Sequence, residues 1–471
     1  MSPLSPQSAA LVLGITALLA LIPILVGLVR ARTAHDWTLT TTLVLAVGMA
    51  GSLPTIAADF ATSQQPVLTD AFGNPEVGLP AAAYRVDQAV NAALLLGCAA
   101  FLVLRCVSGR ARINVAPLIA AALCLVLAVS DGLNGHQIFA SRQVVLLVVL
   151  LAAAVARPGR SALLGAAMTG LLLTVLSGVQ ALVVGTGAFR DCRSDKCGVL
   201  GVLYTGVFSN ENTFGLALAL SVPFIWLGLR GRIRVLLAWY TGLVVLATGS
   251  RQAIAAAGIA LLLLVLLRPR LPEEYPAGSR RPLSAGRSLL AGCVVCGAAA
   301  VGLILPFLNL SADALSQRVY FWDVARQQLP SSPLYGFGAK AWSGLYQLGE
   351  IPVALTYSVH NQWLDVLYAG GVIGLVVFLV LLGYLLLRGG GAGLAAAACV
   401  LAPVLVASCL ERPWSFGVND WLSFTLVAAT LLPVAARRGG PSAPSAPAGR
   451  TGTLGSHAAS AQVRARAAHG R

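Results

Sequence analysis

Thirteen long apolar stretches, separated by short polar breaks, limit what this chain can fold into. They run over residues 8–29, 37–55, 88–105, 114–130, 143–157, 162–185, 211–229, 234–249, 252–267, 288–308, 363–387, 391–409 and 418–436. A helix needs about 20 mostly apolar residues to cross a bilayer. The chain is 57% hydrophobic and 10% charged, whereas a soluble domain carries about 25% charged residues. The expected fold is an all-α polytopic membrane protein with about 12–13 transmembrane helices and a large outer loop between late helices. The first stretch has no basic start and is too long for the apolar part of a signal peptide, so it reads as a retained helix.

The net charge of +15 records topology before it hints at a partner. Arginine-rich breaks at 30–36, 105–112, 157–160, 230–234 and 268–287 alternate with breaks at 56–87, 131–142, 186–210, 249–251, 309–362 and 410–417. Short basic loops stay in the cytoplasm. The second set then faces outward, with the N-terminus outside and the C-terminus inside. Residues 437–471 are small, Pro-containing and sprinkled with arginine, and read as a disordered basic cytoplasmic tail. The tail is too sparse to bind nucleic acid, which needs a basic patch on an accessible domain. The expected organisation is 1–190, N-terminal helices with outer loop 56–87; 191–436, a catalytic core with outer loop 309–362; and the tail 437–471.

Most of the nine cysteines sit alone inside apolar stretches. Cys192 and Cys197 differ, lying in the polar loop "RDCRSDKC". A disulfide is expected there if that loop meets an oxidising compartment. Outer loop 309–362 opens with an amphipathic pattern through Leu315, Val319 and Trp322, capped by Asp313 or Ser311 and stopped at Leu329–Pro330. Phe321 and Trp322 are placed at the membrane face of that helix. Segment 198–215 is apolar enough to dip in from outside, which irregular backbone tolerates only when buried in protein or lining a cavity.

Three polar residues at the outer edge stand out. Arg251 is the charge between two tightly linked stretches, as a snorkelling side chain or a functional one. Arg318 is joined on its helix face by Arg326, either as a solvated face or as an anion site; guanidinium presents a planar fork that suits phosphate oxygens. His360 stands in "YSVHNQWLDVLYAGGVIG" at the mouth of an apolar stretch, either packed at the interface or acting as a proton acceptor. No Cys/His cluster surrounds it, which argues against a metal site.

Four segments in order resemble the O-antigen ligase/polymerase superfamily of bacterial membrane glycosyltransferases. They are "GVFSNENTFGLALALSVP", "GSRQAIAAAGIALLLL", "QRVYFWDVARQQLPSSPLYGFG" and "HNQWLDVLYAGGVIGLVVFLVLL". The resemblance covers about residues 200–390 clearly. It implies glycan transfer from a polyprenyl diphosphate carrier on the outer face of the cytoplasmic membrane, inverting, with no metal, cofactor or nucleotide sugar. Its essential arginines and histidine fall on Arg251, Arg318 and His360. Arg251 and Arg318, with Arg326, are then expected to meet the diphosphate, and His360 to receive or orient the acceptor hydroxyl. Asn210, Glu211, Asn212, Trp322 and Asn361 are expected to bind substrate or hold His360, and Glu211 or Asp365 stays open as the base. The partners implied are the carrier-linked oligosaccharide, a glycan, lipid or protein acceptor, and membrane lipid.

The composition, heavy in Ala, Gly, Leu, Val and Arg, suits a high-GC genome. In an actinobacterium, which lacks lipopolysaccharide, polymerisation of a wall glycan leads over ligation to a lipid or protein. A transporter would share this hydropathy, but no internal repeat is visible and the polar residues gather at the outer edge rather than the midplane.

Overall fold

The computed structural model describes residues 5–62, 81–109, 111, 113–193, 196–271, 283–312, 314–315, 318–347 and 358–433. The described α-helices are α1 (Pro6–Thr33), α2 (Leu39–Thr62), α3 (Ala81–Val107), α4 (Val115–Leu133), α5 (Ser141–Ala154), α6 (Arg160–Val184), α7 (Glu211–Gly228), α8 (Ile233–Thr248), α9 (Arg251–Leu267), α10 (Ala285–Ile304), α11 (Arg318–Gln328), α12 (Ala341–Gln347), α13 (Gln362–Leu387), α14 (Gly390–Ser408) and α15 (Ser423–Thr430). Each of the thirteen apolar stretches contains one, and α11 and α12 add two inside 309–362. Among the described residues, seven helices are long and apolar enough to cross a membrane: α1, α2, α3, α4, α6, α10 and α13. Four more, α5, α8, α9 and α14, are apolar but shorter.

Burial sorts these helices into a centre and a rim. Only 17% of the apolar window of α3 or α10 is buried, against 78% for α6. α7 is apolar all round and is buried from Phe214 to Gly228, as a helix enclosed by others must be. α6 lies along α7, α1 and α2, and α7 also along α8 and α9. The expected boundary at residue 190 is therefore crossed by the central packing. Met1–Ala435 forms one compact unit, and residues 436–471 lie outside the described residues. The expected disordered tail falls there.

Several expectations need correcting. The loop placed at 56–87 is shorter, because α2 continues to Thr62 and α3 starts at Ala81; residues 63–80 lie outside the described residues. Segment 198–215 is enclosed by protein and ends at a cavity, as irregular backbone there requires. β2 (Leu203–Tyr204) pairs antiparallel with β1 (Phe189–Arg190), and Val202 to Phe208 are buried inside the protein. α11 starts at Arg318 rather than near Asp313, after Leu315 with a φ of 55°. Asp313, one of the two expected caps, lies outside the described residues.

Phe321 and Trp322 do not face the membrane. They are 1% and 0% exposed and form a small core with Val319, Trp342, Val359, Leu364 and Tyr368. Tyr320 takes the exposed position instead. The last apolar stretch, 418–436, is helical only as α15 among its described residues. Residues 409–422 before it form an irregular strap, with Pro413, Gly417, Asn419 and Asp420 breaking the pattern and Trp414, Phe416 and Leu422 buried. Protein encloses this irregular backbone, with Trp414, Phe416 and Leu422 packed inward.

α13 is broken at Gly371, whose φ of 60° and ψ of −161° interrupt the helix. The turn at residues 333–338 fills the break. Phe337 N and Gly338 N donate to Tyr368 O and Ala369 O at 2.9 and 2.8 Å, while Val372 N and Ile373 N donate to Pro333 O and Leu334 O at 3.0 and 3.3 Å. A Cβ on Gly371 would lie 2.3 Å from Leu334 O, and one on Gly336 would lie 2.5 Å from Gly371 N. The turn is also tied to α4, where Ser130 Oγ donates to Tyr335 O at 2.5 Å and Asn134 Nδ2 to Gly336 O at 3.0 Å.

Candidate functional site

A cavity of about 900 Å³ opens where many helix ends meet. Its wall takes Pro54 and Thr55 from the end of α2, Asp87 from the start of α3, Arg142 from α5 and Asn212 from α7. Arg318, Lys340, His360, Asp365 and much of the strap 409–422 complete it. Helices alternate in direction, so this is the end of the bundle away from the arginine-rich breaks. The volume lies in the range of small-molecule sites, about 300–1,000 Å³.

His360 is held from both sides. Its φ is 56°, a left-handed conformation that non-glycine residues adopt at a cost and that clusters at functional sites. Before it, Trp322 Nε1 donates to Val359 O at 3.1 Å, and His360 N donates to Ser358 Oγ at 3.1 Å. After it, Asn361 Oδ1 caps α13 by accepting from Trp363 N and Leu364 N at 3.0 and 2.9 Å. Asn361 Nδ2 donates to Gly302 O and Cys409 O at 2.9 and 3.0 Å. Trp322 and Asn361 are thus fully buried supports of His360 and do not line the cavity.

Glu411 links His360 to Arg318. His360 Nδ1 lies 2.9 Å from Glu411 Oε2, and Arg318 Nη2 donates to Glu411 Oε1 at 2.5 Å. Arg318 is further fixed by Nε to Leu410 O at 2.8 Å and Nη1 to Leu315 O at 3.1 Å. Burial opposes the charge on Glu411, but His360 and Arg318 outweigh it and hold the carboxyl below the usual glutamate range. A carboxylate can only accept, so Nδ1 carries a proton, and a neutral ring held this way has its lone pair on Nε2. Arg318 has five N–H groups, and three of them are used in these hydrogen bonds to the protein.

The other expected site residues divide. Asn210 and Asn212 line the cavity. Asn210 Oδ1 caps α7 by accepting from Asn212 N at 2.7 Å. Asn212 Oδ1 accepts from Lys196 Nζ at 2.6 Å and Ser250 Oγ at 2.9 Å. Glu211 is 1% exposed and turned away from the cavity. It meets Lys196 at 2.7 Å, Arg193 at 3.0 Å and Arg190 at 4.0 Å, so it anchors a loop and is not placed as a base. That loop is closed by a disulfide between Cys192 and Cys197.

Arg251 stands exposed at the first position of α9 and does not line the cavity. It flanks the wall through its neighbour Ser250, which holds Asn212. Arg326 does not line the cavity either and pairs with Asp323. Arg412 takes the position expected of Arg326, lining the cavity with Nη1 3.7 Å from Asp365 Oδ2. Glu411 and Arg412 were legible: both are charged residues directly after an apolar stretch on the outward side, the signal that picks out Arg251 and His360.

Residues 236–379 match the family model described as O-antigen ligase. The matched stretch runs from α8 into α13 and carries Arg251, Arg318 and His360. Glu411, Asn212 and most of the rest of the cavity wall lie outside it. No curated protein matches the chain. Among the described residues, no group of three or more His, Cys, Asp and Glu side chains could hold a metal ion.

Proposed function

We propose that this membrane protein polymerises lipid-linked oligosaccharide repeats, transferring a glycan from a polyprenyl diphosphate carrier to an acceptor sugar hydroxyl outside the cytoplasmic membrane. The observation that carries this reading is the Arg318–Glu411–His360 arrangement on the wall of a cavity at the end of the bundle away from the basic loops. His360 Nε2 takes the proton of the acceptor hydroxyl as its oxygen attacks the anomeric carbon. The bond from that carbon to the diphosphate oxygen breaks, and the configuration inverts. Arg318 stabilises the charge that grows on the departing polyprenyl diphosphate, with Arg251 approaching from the rim. Glu411 keeps the imidazole in the required tautomer and stabilises the imidazolium that forms. The disulfide in the 186–210 loop suits an oxidising, extracytoplasmic side.

The test supplies the purified protein in lipid nanodiscs with polyprenyl-diphosphate-linked oligosaccharide, without metal or nucleotide sugar. A ladder of longer carrier-linked products with release of polyprenyl diphosphate is the expected result. Transfer of one intact glycan to a lipid or protein acceptor would replace polymerase by ligase. Absence of turnover, or equal turnover by His360→Ala, would sink the mechanism.

A further inference from the structure

The strap 409–422 carries a second polar group that the chemistry above does not use. Ser415, Asn419 and Asp420 all line the cavity. They are 2%, 5% and 9% exposed. Ser415 Oγ, both side-chain polar atoms of Asn419 and Asp420 Oδ2 have no hydrogen-bond partner among the described residues. A buried amide without a partner is costly, and native proteins rarely retain one without a reason.

These side chains are held rather than loose. Asn419 N donates to Arg142 O at 3.1 Å, tying the strap to α5. Asp420 Oδ1 accepts from Leu422 N at 2.9 Å and from Ser423 Oγ at 3.2 Å. Earlier in the strap, Trp414 N donates to Gln362 Oε1 at 2.8 Å and Trp414 Nε1 to Thr425 Oγ1 at 3.0 Å. The amide, hydroxyl and carboxyl are therefore presented on a fixed backbone.

Their chemistry selects a ligand class. The group supplies donors and acceptors side by side and contains no cation. The nearest strap-side arginines are engaged: Arg142 holds Asp87 through two contacts of 3.0 and 2.9 Å, and Arg412 faces Asp365. A phosphate would meet the Asp420 carboxyl and, in Arg412, a cation already facing Asp365 and acting on Asp420, whereas ring hydroxyls both donate and accept.

We propose that Ser415, Asn419 and Asp420 form a subsite that reads the hydroxyl groups of a neutral sugar ring. This rests on the glycan-transfer reading of the same cavity. The chain's family match ends at residue 379, so sugar selection is carried by a segment separate from the one that carries Arg318 and His360. Because Glu411 begins the strap and Asn419 lies near its end, one irregular segment joins proton handling to sugar recognition.

The test uses the full chain in nanodiscs and native mass spectrometry with three probes. They are undecaprenyl diphosphate, the carrier-linked glycan pool extracted from the producing cells, and oligosaccharide released from that pool by mild acid. Wild type is expected to retain a sugar-bearing species better than the bare carrier. Asn419→Ala and Ser415→Ala are expected to weaken sugar retention about tenfold, the effect of losing roughly one hydrogen-bonded contact, while bare undecaprenyl diphosphate binds as before.

Loss confined to the released oligosaccharide assigns the subsite to the acceptor, and loss confined to the carrier-linked pool assigns it to the donor; both support the proposal. Variants that retain every probe as wild type does would overturn it. So would equal loss of bare carrier by variants, including the isosteric Asn419→Asp, whose melting temperatures match wild type. If wild type binds no carrier of any kind yet loses released oligosaccharide on Asn419→Ala, the subsite stands and the carrier chemistry fails.

Discussion

Replacing Glu411 by glutamine keeps its shape and removes the charge that His360 and Arg318 share. The expected result is a fall in kcat of about 10²–10⁴-fold, the usual range for disabling a general base, with KM changed far less. Steady-state kinetics with carrier-linked oligosaccharide would check it; an unchanged kcat removes Glu411 from the chemistry. The same residue makes a prediction for stability. Its folded pKa is depressed, so its contribution is present above the unfolded value near 4.5 and is lost as pH falls through the lower folded value. The melting difference between wild type and Glu411→Gln is expected to be flat above that value and to shrink below it. Arg318 and His360 were legible in the sequence because each is a rare polar residue at the edge of an apolar region. Their link through Glu411 was not, because 51 positions separate His360 from Glu411 and no local pattern encodes a tertiary pair.

At the scale of elements, the break in α13 sets a clear test. Gly371→Ala would force a side chain into a left-handed position and against Leu334 O. A cost of about 1–3 kcal/mol is expected from the backbone alone, seen as a lower melting temperature in detergent. A variant as stable as wild type would mean that the turn at 333–338 yields. Hydropathy reads α13 as one uninterrupted span, since "YAGGVIG" stays apolar through the break. The stretch 418–436 deceived in the same way. Val418, Trp421 and Leu422 carry its apolar composition back into the strap, and composition does not distinguish a buried irregular segment from a helix.

For the whole molecule, the cavity gathers the helix ends opposite the arginine-rich breaks. Which side of the membrane that end faces is open to direct measurement. In a cysteine-free background, Tyr335→Cys on the exposed part of the outer segment is expected to react with a membrane-impermeant maleimide on intact cells. Arg232→Cys, between α7 and α8, is expected to react only after permeabilisation. The reverse pattern would turn the molecule over and remove the extracytoplasmic mechanism.

The four main-chain hydrogen bonds between residues 333–338 and the break in α13 have a consequence for how the chain can be divided. They join two pieces that lie on either side of residues 348–357, and the ties to Ser130 and Asn134 add a third point of attachment. Covalent continuity through 348–357 is then dispensable for keeping the pieces together. Two separately expressed polypeptides, one ending and the other beginning within that segment, are expected to co-purify and to complement each other.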